Sequence, residues 1–412
     1  QSILLQTGQL VQYGAGIFAY NTIPLLVRRK IEQIIVNTLN KYGCIEVLLP
    51  TLQPDTIWKN SGRYDQYVQD GTMLITESNK GIFCLAPTGE EAMLEFAREK
   101  LKSYKNLPTT FYQIGEKCRN EIRTRGYLLR GKTFSMLDAY SFDKDVEGME
   151  KSYKNVRTAF LEIFEEIGLK VIPIVADNGA MGGKKSEEFM LISEQGEDKI
   201  LYDENTGIGL NTEILEREDY KEYLKEEYGI EDISNFKEIR TMELGHIFQL
   251  ETRYSEMMNG KYINQEGKES LYYMGCYGIG VSRTLAALYE QCVVKNTKGE
   301  PCGFVLPNRI APYMVQIIPK MENSEKVKIA EELYNSPTLK ALGVILDDRE
   351  NITMGAKIKD TKILGTPYML VIGDKIDNDK LELEDNATGE KFIGTREEIL
   401  GKILELKINW EI

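Results

Sequence analysis

A ten-residue segment, MGCYGIGVSR at 274–283, combines three glycines with a terminal arginine and runs into an apolar stretch at 281–291. Glycines let a backbone approach a ligand closely, and the first turn of a helix offers free N–H donors at the positive end of its dipole. Arg283 at this point could clamp a phosphate through two parallel hydrogen bonds. The segment therefore suggests a polyphosphate site, although in isolation an ordinary glycine turn before a helix is the simpler explanation.

A second segment, 117–142, carries the charges and the aromatic ring that a nucleotide needs. Its arginine-rich middle lies between two runs with strand-like alternation, which predicts a hairpin with a charged tip. Arg119 and Glu121 are two residues apart and share a strand face, with Arg130 and Phe134 across the turn. An arginine can take a phosphate, a carboxylate can accept from an exocyclic amine, and a ring can stack on a base. A solvated charged hairpin is the alternative.

The overall charge does not exclude an anionic ligand. The chain has 412 residues, of which 42% are hydrophobic and 28% charged, and a net charge of −13. Net charge leaves open where the basic residues lie. Segment 117–132 concentrates them, with Lys117, Arg119, Arg123, Arg125, Arg130 and Lys132.

The cysteines and the histidine exclude several kinds of site. The six cysteines form no C-x-x-C pair, which indicates reduced thiols in a cytoplasmic location and no structural zinc. A single histidine, His246, excludes multi-histidine metal sites and argues against a Ser-His-Asp hydrolase. No apolar run is long enough to span a membrane, and the first residues lack the basic region of a signal peptide, so we expect no membrane partner.

Periodicity predicts the elements that hold these segments. Apolar residues at helical spacing predict helices at 22–43 and 146–168, and alternation predicts strands at 110–121 and 132–142. The polar stretch 214–240 is interpreted as a surface connection or a small helical insert. We expect an α+β fold for 1–307, with antiparallel strands and flanking helices.

The pattern changes near residue 308. Three apolar strand-like runs, YMVQIIP, VILDDR and YMLVIG, alternate with helical runs at 324–342 and 353–364, which predicts a parallel sheet with right-handed crossovers. Thr395 and Glu398 form a capping-box pattern at the start of a last helix. We therefore place a second, α/β domain at 308–412.

Short motifs in order along nearly the whole chain resemble those of class II aminoacyl-tRNA synthetases. The helix ending in CIEVLLP resembles motif 1, KCRNE with RGKTFSMLDAYSF resembles motif 2, and MGCYGIGVSR resembles motif 3. The details are most similar to bacterial-type prolyl-tRNA synthetases. Further matching motifs are WKNSGR, LAPTGEE, SYKNLP, GEDKI, ELGHIFQLETRYSE, LDDRE and GAKIKDTKILGTPY.

This resemblance implies a fold, a reaction and partners. The fold would be a class II antiparallel β-sheet flanked by helices, followed by an α/β anticodon-binding domain. The enzyme would use ATP, with Mg²⁺ carried by the nucleotide, to activate L-proline as prolyl-adenylate. It would then transfer the prolyl group to the terminal ribose of tRNA(Pro). Motif 1 implies a homodimer.

The resemblance also implies the residues at ATP. Arg119 would bridge the proline carboxylate and the α-phosphate, and Arg283 would be the second catalytic arginine. The implied ATP ligands are Arg119, Glu121 and Phe134 at adenine and the α-phosphate, Arg130 and Arg283 at the β- and γ-phosphates, and Glu243.

At the amino acid, Thr88 and Glu90 would bind the secondary ammonium of proline, and Met136, His246 and Cys276 would lie near its ring. Three of these five residues also have a plainer interpretation. Glu90 could be an exposed loop carboxylate, and His246 a structural histidine at a strand start. For Cys276, a small apolar wall residue is favoured over a nucleophile.

In the second domain, four residues are implied contacts of the tRNA anticodon. Solvated lysines on a helix are the default interpretation of such a pattern, so this expectation depends on the resemblance. The four residues are Arg349, Lys357, Lys359 and Asp360.

Four departures from the family pattern stand out. Gly89 replaces a histidine, Leu137 a lysine and Glu251 a glycine. The fourth is length, since bacterial relatives usually carry an editing domain of well over a hundred residues where 214–240 lies. Small apolar pockets discriminate weakly against slightly smaller substrates. We therefore predict that the chain does not hydrolyse alanyl-tRNA in cis.

Two alternatives to a proline–tRNA ligase remain at this point. One is a paralogue that activates an amino acid but charges an acceptor other than tRNA, which the acidic charge favours mildly and the C-terminal domain opposes. The other is a non-catalytic regulator, which the full set of phosphate-binding arginines opposes.

Overall fold

The computed structural model describes residues 1–124, 126–177, 181, 183, 185–374 and 380–411. The chain forms two compact units. The first unit consists of Tyr13–Phe18 and Glu32–Ala287, and the second of Gln1–Gln12, Ala19–Ile31 and Leu288–Ile412. The boundary expected after residue 307 stays a prediction.

The described helices are α1 Ser2–Gln6, α2 Thr22–Lys41, α3 Asp55–Asn60, α4 Tyr64–Gln69, α5 Glu90–Lys100, α6 Val146–Ile167, α7 Tyr220–Tyr228, α8 Arg253–Met257, α9 Val281–Gln291, α10 Ser324–Tyr334, α11 Pro337–Leu342, α12 Met354–Leu364 and α13 Arg396–Glu411.

The described strands are β1 Leu10–Gly14, β2 Ile17–Tyr20, β3 Ile45–Glu46, β4 Leu52–Pro54, β5 Leu74–Ser78, β6 Gly81–Leu85, β7 Thr109–Cys118, β8 Thr133–Asp143, β9 Val171–Ala176, β10 Lys185–Ile192, β11 Asp198–Asp203, β12 Ile208–Asn211, β13 Lys237–Glu251, β14 Lys261–Ile263, β15 Glu269–Leu271, β16 Tyr273–Gly280, β17 Val293–Lys295, β18 Pro301–Phe304, β19 Val315–Pro319, β20 Val344–Leu346, β21 Tyr368–Ile372, β22 Lys380–Asp385 and β23 Lys391–Thr395.

The first unit is built on a nine-stranded sheet in the order β10-β9-β12-β11-β13-β16-β8-β7-β3. Its central strands β13, β16, β8 and β7 are antiparallel, whereas β3 joins β7 in parallel at the edge. The two strands predicted around the charged hairpin are thus confirmed as β7 and β8. Within the segment CIEVLLP the structure has a strand of two residues, Ile45–Glu46.

Helix α6 covers one face of this sheet, and its ends follow from local sequence. Asp145 caps the first turn by accepting from the Gly148 N–H at 2.8 Å. Gly168 ends the helix in the left-handed conformation, at φ 88°. Between these caps an apolar stripe from Met149 to Ile167 is buried, which confirms the predicted amphipathic helix.

The polar stretch after β12 contains a 3-10 turn at Thr212–Glu216 and then α7. It has a small core of its own, in which Ile214, Tyr223 and Leu224 pack with Val175 and Leu210. The expectation of a small helical insert is therefore met between β12 and β13.

The second unit contains a five-stranded sheet in the order β20-β19-β21-β22-β23. The predicted strands β19, β20 and β21 are parallel. The parallel sheet is therefore confirmed for these three strands, and β22 and β23 add an antiparallel hairpin on its edge that was not predicted. The capping box is present: the Thr395 N–H donates to Glu398 Oε2 at 2.8 Å, and the Glu398 N–H donates to Thr395 Oγ1 at 3.3 Å.

Across the part of the chain that the structure describes, no helix combines the length and apolar character needed to cross a membrane.

Candidate active site

A cavity of about 940 Å³ opens on one face of the nine-stranded sheet. It gathers side chains from β8, β13 and β16, from the loop between β7 and β8, and from the start of α5. All the residues expected at ATP and proline line it: Thr88, Glu90, Arg119, Glu121, Arg130, Phe134, Met136, Glu243, His246, Cys276 and Arg283.

Strand register explains why distant residues meet here. Asp138 lies opposite Gly278 on β16, which in turn lies opposite His246 on β13. Tyr140 lies opposite Cys276 in the same way. Because side chains alternate between the faces of a sheet, every second residue along β8 and β16 faces the cavity. Phe134, Met136 and Asp138 thus share the face of β8 that lines the cavity.

The 274–283 segment is a strand rather than an amide-lined turn. Residues Tyr273–Gly280 form β16, and α9 begins at Val281. A Cβ atom at Gly278 would lie 2.5 Å from Met136 Cε. Glycine at position 278 therefore leaves room for the Met136 side chain between the paired strands and the cavity.

The loop between β7 and β8 differs from its prediction. Strand β7 ends at Cys118, so Arg119 and Glu121 lie in the loop and not on a strand face. Arg119 Nε donates to the Pro87 carbonyl at 3.0 Å, and its guanidinium lies 5.1 Å from the centre of the Phe134 ring. Arg130 Nε pairs with Glu121 Oε2 at 2.8 Å. Arg125, part of the basic segment, lies outside the described residues.

Arg283 lies at the same end of the cavity as Arg119 and Arg130, and hydrogen bonds fix its guanidinium. Its NH1 donates to Glu243 Oε2 and to the Glu243 carbonyl, both at 2.7 Å, and its Nε donates to the Leu129 carbonyl at 3.0 Å. Desolvation acts to raise the pKa of Glu243, but the charge and hydrogen bonds of Arg283 and His246 together outweigh it and lower that pKa well below its usual range. This end of the cavity therefore holds three guanidiniums, which suits a polyanion.

The opposite end is built around one buried carboxylate. Glu90 Oε2 accepts from Thr88 Oγ1 at 2.7 Å and from Arg63 NH1 at 3.1 Å. Its Oε1 has longer contacts with Cys276 Sγ at 3.3 Å and the Tyr140 hydroxyl at 3.5 Å. Burial acts to raise the pKa of Glu90, but Arg63 and Thr88 outweigh it and lower that pKa. An ionised carboxylate in this setting suits a cationic ligand.

Cys276 is poorly suited to attack a substrate. It is buried, and desolvation together with the nearby Glu90 charge raises the pKa of its thiol well above the usual range. Since the thiolate is the nucleophilic form, a neutral thiol fits a wall residue better.

His246 lies between the two ends. Its ring stacks on Phe248, with centroids 3.9 Å apart. Its Nδ1 lies 3.5 Å from Glu243 Oε1 and 3.6 Å from Glu188 Oε1. The ligand atoms of these three residues all lie within 4.8 Å of one another, so they could hold a metal ion.

Sequence reasoning missed a layer of residues around the cavity. Arg63 contacts Glu90 from behind, and the buried Asp138 pairs with Lys117 Nζ at 2.7 Å. Glu188, on β10, joins Glu243 and His246. Alternation along β8 accounts for Asp138 on the cavity face. Arg63 is the last residue of the WKNSGR motif, which carried no assigned role, whereas no motif or spacing pointed to Glu188.

The expected anticodon residues lie in the second unit. Arg349 NH1 pairs with Asp360 Oδ2 at 2.8 Å, and both line a cavity of about 380 Å³. Lys357 is buried and its Nζ donates to the Asp347 carbonyl at 2.8 Å, whereas Lys359 is exposed on α12. The structure thus brings Arg349 and Asp360 together and directs Lys357 to the interior.

Two family models match the chain: the tRNA synthetase class II core domain (G, H, P, S and T) over 73–292, and the anticodon binding domain over 314–406. The proline–tRNA ligase of Rickettsia bellii is 34% identical, over 94% of this chain and 90% of its own length. That of Anaplasma phagocytophilum is 36% identical, over 97% and 93%. Because the match covers 90% and 93% of these two relatives, neither has room for a long insert that this chain lacks.

Solved structures show the same fold. The prolyl-tRNA synthetase of Giardia lamblia in complex with prolyl-adenylate has a TM-score of 0.75 at 18% identity, covering 97% of this chain and 73% of that one. The Cryptosporidium parvum enzyme with halofuginone and AMPPNP has a TM-score of 0.75 at 16% identity, covering 98% and 74%. With matches to the class II core and the anticodon-binding domain, and with relatives at 34 and 36% identity over most of its length, this chain belongs to the proline–tRNA ligase family of class II aminoacyl-tRNA synthetases.

Proposed function

We propose that this chain activates L-proline with ATP to form prolyl-adenylate and then transfers the prolyl group to the 3′-terminal ribose of tRNA(Pro). One observation carries the proposal beyond family membership: a single cavity holds three arginines at one end and an ionised, buried carboxylate at the other. Those are the charges that a nucleotide and an amino acid ammonium require.

Activation is attack by the proline carboxylate on the α-phosphate of ATP. An O–P bond forms, the bond between the α-phosphorus and the bridging oxygen breaks, and pyrophosphate leaves. An α-carboxyl has a pKa near about 3.5, so the nucleophile is already ionised at neutral pH and no general base is needed. Catalysis then depends on positioning and on stabilising charge at phosphorus.

Arg119 is placed to serve the reacting phosphate. It lines the cavity and is held by the Pro87 carbonyl and the Phe134 ring. In this proposal Arg119 bridges the proline carboxylate and the α-phosphate, Arg130 and Arg283 bind the β- and γ-phosphates, and Phe134 with Glu121 holds adenine.

The proline end follows from the atoms around Glu90. A secondary ammonium has two N–H donors, and Glu90 Oε1 and Thr88 Oγ1 are acceptors of the kind it needs. Met136, His246 and Cys276 line the same cavity and supply the surface for the apolar ring.

Glu188 and Glu243 supply the carboxylate oxygens that a hard divalent cation such as Mg²⁺ prefers, and their ligand atoms lie within 4.8 Å of each other. When bound with ATP, the ion would neutralise charge on the phosphates. Glu243 also holds Arg283, so it connects the cation cluster to the arginine.

A homodimer is supported by the edge of the sheet. Strand β3 lies at that edge, and three apolar side chains around it are largely exposed: Ile45 at 50%, Leu48 at 82% and Leu52 at 50%. Exposed apolar groups beside an unpaired strand edge suit pairing with a second copy. We also place the enzyme in the cytoplasm and assign recognition of the anticodon to the second unit, through Arg349, Lys359 and Asp360. Lys357, which was expected among these contacts, is buried with its Nζ on the Asp347 carbonyl, so it is not assigned to tRNA.

The alternatives are less well supported. The relatives are ligases, which opposes a non-tRNA acceptor, and a regulator has no need for three phosphate-binding guanidiniums.

The test is proline-dependent exchange of pyrophosphate into ATP, followed by aminoacylation of purified tRNA(Pro). We expect both activities, and loss of both by at least a hundred-fold in Arg119→Gln. Arg98→Gln is the matched control, because Arg98 is a partly exposed arginine that pairs with Glu95 on α5. Exchange without aminoacylation would favour the paralogue, and no exchange at all would favour the regulator.

A further inference from the structure

Arg63 lies behind Glu90, on the side away from the cavity. It sits in the turn between α3 and α4, and its side chain is only 4% exposed. NH1 donates to Glu90 Oε2 at 3.1 Å, to Glu91 Oε1 at 3.2 Å and to the Tyr254 hydroxyl at 2.9 Å. One guanidinium thus holds two neighbouring carboxylates at the start of α5.

Aromatic rings enclose the rest of the guanidinium. Its carbon lies 5.5 Å from the centre of the Trp58 ring, 4.7 Å from that of Tyr67 and 5.4 Å from that of Tyr254. NH2 also donates to the Tyr67 hydroxyl. Contacts on the faces and the edge leave the guanidinium little freedom, so its position is fixed before any ligand binds.

The two carboxylates held by Arg63 are not equivalent. Glu91 accepts from Ser61 Oγ at 2.7 Å and is fully buried. Burial raises the pKa of Glu91. The Arg63 charge acts to lower it, and the Glu90 charge acts to raise it further. The pKa of Glu90 itself is lowered, because Arg63 and Thr88 stabilise its charged form. Glu90 is therefore the carboxylate that carries the negative charge into the cavity.

Arg63 also decides which oxygen of Glu90 is free for a ligand. Glu90 Oε2 is occupied by Arg63 and Thr88 at 3.1 and 2.7 Å. Oε1 has only the longer contacts with Cys276 and Tyr140, at 3.3 and 3.5 Å. Holding one oxygen from behind turns the other toward the cavity.

We propose that Arg63 is a positioning residue for proline: it keeps Glu90 ionised and directs Oε1 at the secondary ammonium of the substrate, without touching substrate itself. This inference rests on the proposed function and adds a residue to which neither the motifs nor the cavity lining assigns a role. We expect its main effect on the amino acid, because the carboxylates that Arg63 holds are Glu90 and Glu91.

The test compares the effect of each substitution on the KM for proline with its effect on the KM for ATP. In Arg63→Met, the KM for proline in pyrophosphate exchange should rise by roughly thirty-fold or more, the usual result of removing one member of a buried ion pair, while the KM for ATP stays within about two-fold. Arg63→Lys keeps the charge but lacks the planar guanidinium that the aromatic rings enclose and the second nitrogen that donates to Tyr67, so its KM for proline should lie between those of the wild type and Arg63→Met. Arg98→Met is the control on α5, with an exposed pair to Glu95.

A pH profile distinguishes positioning from a general loss of structure. Without Arg63 the pKa of Glu90 rises, so the KM of Arg63→Met for proline should fall as the pH increases from 6 to 8 more steeply than in the wild type. The other titratable groups facing Glu90 are Glu91, Tyr67, Tyr140, Tyr254 and Cys276. The tyrosine and cysteine pKa values are raised, so these groups stay neutral in this range. Glu91→Gln in both backgrounds removes the remaining contribution.

The outcomes are distinct. Equal rises in the KM values for proline and ATP, or a pH profile parallel to that of the wild type, would overturn the role of Arg63 alone. If Arg63→Met does not fold, Arg63→Lys decides: an unchanged KM for proline refutes the inference. A wild-type protein without proline-dependent exchange would overturn the proposed function and this inference with it.

Discussion

Glu251 is expected to lower the free energy of unfolding, and the substitution Glu251→Gly is expected to raise it. The residue has φ 54°, in the left-handed region, at an irregularity where β13 shifts register against β16. That conformation costs a non-glycine residue about 1–2 kcal/mol. Glycine adopts it freely but loses about 0.5–1 kcal/mol more backbone entropy on folding. The difference predicts a gain of about 1 kcal/mol in the free energy of unfolding, at a position where the family usually has glycine.

Urea unfolding followed by the fluorescence of Trp58, which is fully buried in the first unit, gives the measurement. The second tryptophan, Trp410, is replaced by phenylalanine in every variant so that only the first unit is observed. Glu251→Ala is the control, because it removes the carboxylate but keeps the energetic cost of the left-handed backbone conformation. If Glu251→Gly were no more stable than Glu251→Ala, the argument from backbone strain would be refuted.

Three further predictions test the site and its surroundings. In Gly89→Ala the new Cβ would lie 2.5 Å from Asp138 Oδ2, so the KM for proline in pyrophosphate exchange should rise several-fold, with that for ATP unchanged. Burial raises the pKa of Asp143 from 3.8 to about 6, so the folded protein holds a proton between these values that the unfolded chain has released. Stability should fall as pH rises through this window, and Asp143→Asn should flatten the dependence of the urea midpoint on pH. Alanyl-tRNA(Pro) should persist with this enzyme as it does in buffer, and rapid enzyme-dependent deacylation would show an editing activity in cis.

Periodicity predicted long elements with clear caps and failed on short ones. Helix α6 was predicted within a residue at its C-terminal end because an apolar stripe lies between Asp145 and Gly168. The hairpin of β22 and β23 was missed, since Lys380–Asp385 and Lys391–Thr395 are short and rich in charged residues. Their strand character comes from pairing with β21, which a local pattern does not reveal.

The cavity lining was predictable for a different reason. Motifs and strand alternation name residues that face a ligand, and Met136 and Cys276 follow from this alone once the register is known. The role of Arg63 does not follow in this way: the WKNSGR motif contains the residue, but its partners Glu90 and Tyr254 lie 27 and 191 residues away along the chain. A residue that acts on another side chain leaves no spacing pattern, so only the fold reveals it.

The arrangement of charge explains how a chain with a net charge of −13 can serve an anionic substrate. Arg130 and Arg283 are each paired with a carboxylate, Glu121 and Glu243, at 2.8 and 2.7 Å. Under the proposed function, phosphates compete with these carboxylates for the same guanidiniums. The displaced carboxylates are the ones proposed to meet the adenine amine and the metal ion. Each ion pair would thus exchange one partner for another within the cavity, which keeps local charge balanced while ATP binds. On this argument, replacing Glu121 or Glu243 with glutamine would free an arginine and yet weaken ATP binding, because the carboxylate has its own ligand in the complex.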